Sequence, residues 1–459
     1  MAMVHELASF VIRSTYEDLS EEARAQIKIR VLDSLGCAIG ALGGEPIEIV
    51  RAQLEDFDGA GSCTLIGGGR AAPDRAAFYN GALVRYLDYN DSYLSKGETG
   101  HPSDNIGATL AAAEYARVSG KEFMTALAVA YQVQCRLSDV APVRHKGFDH
   151  TTQGSYAVAA GVSKALGMKA EQTAHAIAIS GAALNALRVT RTGRLSHWKG
   201  LAYPHTAFGA THAAFLAMRG ITGPLEIFEG NKGFMDAIAG PFEIDWSKEN
   251  LERVTRTIIK KFNAEIHSQS AIEGVLELKS EYGLNSEAIE KIEIEIFDVA
   301  YHIIGGGEEG AKTLVQTKEE ADHSLPYMLA VALLDGEVTP AQYRSERIRR
   351  EDVQKLLRKV EIRPTESYSR LFPDLMPCQL TVSLKDGRIL RKEKMDYEGF
   401  FTRPASWESV LDKFKRLAAL HVEPSLSDEI VAAAGALENI QAGDLAGLLG
   451  RVSMPRGIV

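Results

Sequence analysis

Long helical segments built from small residues dominate the first 260 positions and constrain the fold more than any other feature. Apolar residues recur at intervals of three and four over residues 22–42, 106–118, 123–137, 154–166 and 171–187. Alanine and glycine surround much of each segment, as in GATLAAAEYA and AIAISGAALNAL. Helices with small residues on most sides pack closely against one another, whereas surface helices carry a charged face. The pattern therefore predicts a buried helical bundle.

The sequence pattern changes after about residue 265. The segment AIEKIEIEIF alternates apolar and charged residues at strand period, and CQLTVSLKDGRILRKEKM has two alternating runs joined by Asp386-Gly387. Asp-Gly between two such runs is a strong hairpin signal. A chain of 459 residues also exceeds what one ordinary core accommodates. We predict a mainly α protein with an all-helical domain at 1–265, a smaller α+β domain at 266–402, and helices at 403–459 that return to the first domain.

Charge and hydropathy exclude several classes of partner. The net charge of −10 argues against nucleic acid or an anionic membrane as a partner for the whole surface. The N-terminal segment lacks the apolar stretch of a signal peptide, and no run of about 18 apolar residues predicts a membrane span. We expect a cytoplasmic protein, although an organelle matrix protein would look the same after removal of a leader.

The cysteines and short motifs give no support for a cofactor. Four cysteines lie far apart without a C-x-x-C pair, so neither structural zinc nor an iron–sulfur cluster has sequence support. No H-E-x-x-H motif, phosphate-binding loop, dinucleotide fingerprint or nucleophile elbow is present. We therefore expect an enzyme without a metal or other cofactor.

Polar residues interrupt the apolar sequence in five places. These are LDYNDSY with GHPSDN (residues 87–93 and 100–105), RHKGFDHTT (144–152), RVTRTGRLSHWKG (188–200), KKFNAEIHSQ (260–269) and DHSLPY (322–327). In the first, Ser103 or Asp104 is expected to cap the helix that begins at Ile106, where free N–H groups favour a carboxylate ligand. In the third, the local positive charge favours an anion, and Lys199 either clamps a carboxylate or acts as an acid or base.

Each of these places also has a structural interpretation. The first can be a capped helix start after a turn, but two acids, a hydroxyl and a histidine so close together are more than a cap requires. The second is equally well a solvated loop. Taken singly, His323 is more often a helix-start residue and Tyr327 a core residue. Together, aspartates, histidines, a lysine and a tyrosine suit proton transfer. Proton abstraction beside a carboxylate, with acid-assisted loss of a hydroxyl, fits this set best.

Motifs along nearly the whole chain resemble the 2-methylcitrate dehydratase (MmgE/PrpD) family, which includes cis-aconitate decarboxylases and an iminodisuccinate epimerase. They are VLDSLGCAIGAL, RYLDYNDSY, GHPSDN, SHWKG, KKFNAEIHSQSAIEG and DHSLPYMLAVALLDGEVT. The resemblance implies a large helical domain, a smaller α+β lid, a catalytic cleft between them and a homodimer.

The resemblance also carries candidate site residues onto this chain. The implied catalytic residues are Asp88, Ser92, His101, Lys199 and Tyr327. The expected substrate contacts are Asp91, Ser103, His150, Arg188, Arg191, His267 and Gln269. Three departures bear on substrate. Ser92 stands where the family more often has threonine, Gln269 where decarboxylase-like members have histidine, and LSKGETG lacks the tryptophan and acidic pattern of the methylcitrate enzymes.

Three functions follow from these observations. The favoured one is a metal-independent hydro-lyase that converts 2-methylcitrate or citrate, a small tricarboxylate, into a cis-aconitate-type alkene. The second is cis-aconitate decarboxylation, or epimerisation of a dicarboxylate, at the same site. The third is a non-catalytic binding protein of the same fold. Asp88, His101, Lys199 and Tyr327 occur together, which argues against the third.

Overall fold

The computed structural model describes residues 2–57, 61–192, 195–307 and 310–453, and it divides into two compact units. The helical unit comprises Met1–Arg191, His197–Ile259 and Ser406–Val459, and the α+β unit comprises Thr192–Ser196 and Lys260–Ala405. The sequence prediction placed the main boundaries a few residues away, after 265 and after 402. It did not anticipate that the short segment at 192–196 groups with the α+β unit.

The helices of the helical unit are numbered in chain order. They are α1 (Met3–Arg13), α2 (Glu21–Gly40), α3 (Glu45–Asp56), α4 (Pro73–Tyr86), α5 (Ile106–Ala116), α6 (Gly120–Val140), α7 (Thr151–Ala165), α8 (Ala170–Ala183), α9 (Trp198–Met218), α17 (Trp407–Ala418), α18 (Pro424–Gly435) and α19 (Ala442–Leu449). Local sequence sets their starts. Ser119 and Glu122 form a reciprocal capping box at α6, and Pro73 opens α4, where its missing N–H is not needed.

Close helix packing depends on glycine, as the small-residue pattern predicts. A Cβ on Gly154 of α7 would lie 2.4 Å from Cε2 of Tyr203 in α9. A Cβ on Gly181 of α8 would lie 2.3 Å from Cε1 of Tyr156 in α7. Both tyrosines are fully buried. The glycines thus leave the space that these aromatic rings occupy between neighbouring helices.

The expectation of nearly continuous helix to residue 260 is wrong beyond α9. Residues 219–259 form turns, irregular backbone, one π-helical turn at Met235–Ala239 and one 3₁₀ helix at Glu252–Arg256. Their sequence explains this, because RGITGPLEIFEGNKGFMDAIAGPF repeats glycine and contains two Gly-Pro pairs that do not continue a helix. Short antiparallel hairpins were also not anticipated. They pair β1 (Cys63–Thr64) with β2 (Arg70–Ala71), and β3 (Tyr93–Ser95) with β4 (Glu98–Gly100).

In the α+β unit, four described strands form one sheet in the order β6-β5-β7-β8. They are β5 (Ile289–Ile296), β6 (Val360–Pro364), β7 (Cys378–Leu384) and β8 (Ile389–Lys394). The predicted hairpin is confirmed, since β7 pairs antiparallel with β8 across a turn in which Gly387 has φ +87°. β5 alternates buried and exposed residues as its pattern indicates, and it pairs in parallel with β6, a strand that the sequence did not reveal.

Helices complete the α+β unit. They are α10 (Gln269–Tyr282), α11 (Asp298–Ala300), α12 (Lys318–Ala321), α13 (Leu325–Asp335), α14 (Ser345–Ile348), α15 (Glu351–Leu357) and α16 (Glu366–Ser369). α10 packs on the sheet at Gly274, where a Cβ would lie 2.7 Å from Cδ1 of Leu380. Within the described part of the chain, no helix has the length and apolarity needed to cross a membrane.

Candidate functional site

A strained turn after α4 places Asp88. This residue adopts the left-handed conformation, with φ +52°, which is uncommon outside glycine. Its carboxylate Oδ1 accepts a hydrogen bond from Nη1 of Arg85 at 2.6 Å, and its Oδ2 lies 3.4 Å from Nζ of Lys199. Lys199 stands in the first turn of α9, where the helix dipole disfavours a cation, so Asp88 offsets that penalty. The structure thus joins two of the predicted catalytic residues.

A backbone carbonyl and a hydroxyl contact the His101 ring. Its Nδ1 lies 2.8 Å from the carbonyl oxygen of Asp91 and 3.1 Å from Oγ of Ser92. Because a carbonyl oxygen only accepts hydrogen bonds, Nδ1 carries the proton in the neutral ring and Nε2 is the basic nitrogen. Ser92 is itself fixed by paired backbone hydrogen bonds with Ile258, at 2.9 and 2.8 Å.

Two residues that were expected to contact substrate, Asp91 and Ser103, instead form hydrogen bonds with other residues of the helical unit. The Asp91 carboxylate accepts hydrogen bonds from Ser103 N at 2.9 Å and from the Tyr131 hydroxyl at 2.8 Å, and burial raises its pKa. The hydroxyl of Ser103 accepts a hydrogen bond from Asn90 at 2.9 Å. These contacts favour a structural role for Asp91 and Ser103 in place of the predicted substrate contact.

The helix-capping expectation at this segment is wrong. A short 3₁₀ turn, Pro102–Asn105, precedes α5, and neither Ser103 nor Asp104 caps that helix. Asp104 is instead a buried carboxyl whose Oδ1 accepts a hydrogen bond from Asn90 Nδ2 at 2.8 Å. Burial raises the pKa of Asp104 to about 7, although Arg85, at 3.7 Å, opposes the shift.

A second histidine lies beside the first. The His150 ring meets the His101 ring edge-on, with centroids 5.5 Å apart, and its Nδ1 lies 3.1 Å from Asp149 Oδ1. Asp149 Oδ2 accepts a 2.6 Å hydrogen bond from Nε of Arg191. Burial lowers the pKa of His150 to about 4, and Asp149 only partly offsets this. Against the effect of burial, Arg191 and His150 hold the pKa of Asp149 well below its ordinary value.

His150 and Arg191 both present buried polar atoms without a hydrogen-bond partner among the described residues, namely His150 Nε2 and Arg191 Nη2. Both residues were expected to contact substrate, and the structure joins them through Asp149. Arg188, the other expected contact in this basic segment, is half-buried and opposes the burial-driven rise in the pKa of Glu98. Gly193 and Arg194 of the same segment lie outside the described residues.

The α+β unit contains the remaining candidates. His267 is buried, and its Nδ1 lies 2.7 Å from Glu265 Oε1. Its Nε2 has no hydrogen-bond partner within the described ranges. Although burial opposes it, His267, His323 and Lys260 lower the pKa of Glu265 to about 2. Gln269 is different, because its amide bonds only to backbone atoms of Phe262 and Ala264 in the described residues, at 3.0–3.2 Å. This placement favours a structural role for Gln269.

Tyr327 is fully buried near the start of α13. Its hydroxyl donates a hydrogen bond to the carbonyl of Gln342, and burial raises its pKa. Both facts disfavour Tyr327 as a proton donor to substrate. Ser324 caps α13 through its contact with the Tyr327 N–H at 3.1 Å, while His323 pairs with Asp322 at 2.6 Å. His323 is therefore not the helix cap that the sequence suggested.

Several supporting residues were missed from the sequence. Asp149, Arg85 and Glu265 each position a predicted residue, and Lys260 is a fully buried lysine within the α+β unit. The adjacent residues Asp149 and His150 could have revealed the role of Asp149 from the sequence, because an acid next to a histidine can orient its ring. Potential metal ligands are present as Asp88 in the helical unit and as Asp322 and His323 in the α+β unit. Within either unit alone, the described residues bring no three such groups together.

Comparison with known proteins identifies relatives over most of the chain. Family models for the N-terminal and C-terminal domains of MmgE/PrpD proteins match residues 5–247 and 262–439. The chain is similar to the mitochondrial 2-methylcitrate dehydratase of Yarrowia lipolytica, with 28% identity over 422 residues, covering 86% of this chain and 79% of that protein. It is 25% identical to mouse cis-aconitate decarboxylase over 440 residues, covering 90% and 86%. It is 28% identical to the Escherichia coli 2-methylcitrate dehydratase over 350 residues, covering 72% and 71%.

Proposed function

Because the chain belongs to the MmgE/PrpD family, we propose that it is a hydro-lyase that removes water from a citrate-like tricarboxylate. The observation that carries this proposal is His101, whose Nδ1 is held by the Asp91 carbonyl at 2.8 Å, so that Nε2 is the basic nitrogen. The relatives named 2-methylcitrate dehydratase support the choice of reaction and substrate class.

His101 acts as the general base. Its Nε2 takes the proton from the carbon next to a substrate carboxylate, and the C–H electron pair forms the new C=C bond. The C–O bond at the neighbouring carbon breaks as this bond forms. The imidazolium that results keeps its Nδ1–H on the Asp91 carbonyl, so the ring does not need to turn during the reaction.

Lys199 protonates the departing hydroxyl, which leaves as water. The sequence left Lys199 and Tyr327 as alternatives, and their surroundings favour the lysine. Lys199 Nζ lies 3.4 Å from the Asp88 carboxylate, which positions its amine as a proton donor. The Tyr327 hydroxyl is engaged by a backbone carbonyl and its pKa is raised by burial.

Arg191 and His150 bind different parts of the substrate. The guanidinium of Arg191 has donor capacity beyond its bond to Asp149 and pairs with a substrate carboxylate. His150 is neutral at physiological pH because burial lowers its pKa to about 4. With its Nδ1–H on Asp149, its Nε2 accepts a hydrogen bond, which suits the substrate hydroxyl better than a carboxylate. No step in this mechanism requires a metal or another cofactor.

Decarboxylation is the second candidate function, supported by the similarity to mouse cis-aconitate decarboxylase. The purified protein should be incubated with 2-methylcitrate, citrate, cis-aconitate and a chiral dicarboxylate, while alkene absorbance, released CO₂ and optical rotation are followed. We expect alkene from a tricarboxylate without CO₂. Release of CO₂ from cis-aconitate, or epimerisation alone, would replace the proposal with the corresponding alternative. The absence of any turnover would favour a binding protein.

A further inference from the structure

We infer that the buried ion pair between Asp33 of α2 and Lys413 of α17 positions the turn that carries Asp88 and Ser92. This inference rests on the proposed function, since it assigns positioning residues to that same site. Neither residue belongs to the polar segments that the sequence singled out. Both lie in helices that otherwise read as ordinary core elements.

The Lys413 ammonium contacts a carboxylate, a backbone carbonyl and an aromatic ring. Its Nζ lies 2.7 Å from Asp33 Oδ1 and donates a hydrogen bond to the backbone carbonyl of Tyr89 at 2.7 Å. It also lies 3.7 Å from the centre of the Tyr89 ring. Lys413, Asp33 and Tyr89 are 4%, 1% and 3% exposed. The ammonium therefore fixes one peptide carbonyl of the turn from inside the helical unit.

A buried ion pair is a costly way to add stability. Removing two charges from water costs several kcal/mol for each ion, and apolar pairs of similar volume often serve stability equally well. What an apolar pair cannot do is hold a carbonyl oxygen by a charge-assisted hydrogen bond. Burial alone would lower the pKa of Lys413, but the Asp33 carboxylate raises it, so the lysine remains charged.

The held carbonyl follows immediately after the strained residue. Asp88 has φ +52°, a conformation that surrounding contacts must maintain. The same helix α2 also secures the other end of the turn. Arg30 donates to Thr257 Oγ1 at 2.8 Å and to its carbonyl at 2.6 Å. The next residue, Ile258, pairs with the backbone of Ser92. Lys413, paired with Asp33 of α2, and Arg30 of α2 thus support the Asp88–Ser92 turn at both ends.

A double variant distinguishes an effect on the position of the turn from an effect on the stability of the protein. Lys413→Met alone leaves Asp33 buried without its partner and should lower both the melting temperature and kcat. Asp33→Leu/Lys413→Met replaces the pair with apolar residues and should recover most of the melting temperature. We expect kcat of this double variant to remain roughly tenfold or more below that of the parent, because the turn is no longer held. KM should change much less than kcat.

The matched control is Lys28→Met. Lys28 is also in α2 and pairs with Glu438 of the C-terminal segment at 3.0 Å, away from the turn. This variant should keep parental kcat. A second readout needs no substrate: amide hydrogen exchange in a peptide spanning residues 87–93 should be faster in the double variant than in the parent and in Lys28→Met.

Recovery of parental kcat and parental exchange in the stabilised double variant would overturn the inference and leave the pair as a structural contact. If the double variant does not fold, Asp33→Asn/Lys413→Met is the milder replacement, because it removes the ammonium and keeps the shape of the aspartate, and parental kcat and exchange in that variant would overturn the inference equally. His101→Gln, measured in the same assay, tests the proposed function independently of the positioning role. Its inactivity beside a fully active double variant contradicts only the positioning role, whereas parental activity of His101→Gln contradicts the proposed function itself.

Discussion

Asp104 is a buried carboxyl whose ionisation opposes folding. Its pKa in the folded protein is about 7, against an ordinary value of 3.8, because burial disfavours the charged form. Between these values the unfolded chain has released the proton and the folded protein retains it. Stability therefore falls as pH rises through this window and levels off above about pH 7.

Asp104→Asn should consequently stabilise the protein more at pH 8 than at pH 5. The asparagine oxygen can still accept the hydrogen bond from Asn90, but the side chain cannot ionise. We expect the difference in unfolding free energy between variant and parent to be roughly 1 to 3 kcal/mol larger at pH 8. Denaturant unfolding at the two pH values measures it.

Asp245→Asn is the control for this experiment. Asp245 is exposed, and Lys248 and Ser247 lower its pKa to about 2, so both pH values lie above its titration. Its substitution should have the same effect at pH 5 and pH 8. An Asp104→Asn effect that is equally independent of pH would show that Asp104 is ionised in the folded protein throughout.

At the residue scale, the sequence identified the types of the functional groups but not their partners. Motifs pointed to Asp88, His101 and Lys199, and the structure joins Asp88 with Lys199 at 3.4 Å. One partner of His101 is a backbone carbonyl, and the amide of Gln269 bonds to backbone atoms. The identity of a residue does not indicate which backbone groups its side chain contacts, because every residue carries the same backbone groups.

At the scale of helices and strands, long periodic segments were predictable and short elements were not. The hairpin β7–β8 follows from its alternation and its Asp-Gly turn. β6 has five residues and pairs in parallel with β5, so only the sheet around it defines it as a strand. The hairpin β3–β4 has three residues in each strand and carries too little sequence pattern to be read.

The small-residue pattern of the helices makes a direct prediction about packing. Gly154→Ala would place a methyl group 2.4 Å from the ring of Tyr203, whose hydroxyl lies within hydrogen-bond distance of Asn105 Oδ1 and Gln134 Oε1. We expect a loss of about 1 to 3 kcal/mol in unfolding free energy from overpacking. Chemical denaturation of the purified variant measures this loss.

Gly447→Ala is the matched substitution in a helix without a close neighbour. Nothing lies within 4 Å of the added methyl group in α19, so this variant should gain about 0.5 to 1 kcal/mol from the higher helix propensity of alanine. If Gly154→Ala is also stabilising, the α7–α9 packing is looser than described.

At the scale of the whole molecule, the chain combines a helical unit with an α+β unit. The C-terminal helices belong to the helical unit, although they follow the α+β unit in the sequence. The change from helical to strand period near residue 265 revealed this division. The grouping of residues 192–196 with the α+β unit depends on tertiary contacts and has no sequence signal. The expected homodimer follows from resemblance and stays a prediction for measurement in solution.

The whole protein should retain activity after exhaustive chelation. The proposed mechanism uses His101 and Lys199 for both proton transfers and needs no metal-bound hydroxide. Turnover of the tricarboxylate should be unchanged after dialysis against EDTA or dipyridyl. Loss of turnover that a divalent ion restores would contradict the metal-free mechanism.

The most direct test of the account is kcat for His101→Gln with a tricarboxylate substrate. Glutamine can form hydrogen bonds in place of the imidazole but cannot accept the proton. We expect the variant to fold, as judged by circular dichroism, and to form the alkene roughly 10²-fold or more slowly than the parent. Near-parental turnover by His101→Gln would contradict the central claim and leave His101 as a structural residue of the turn.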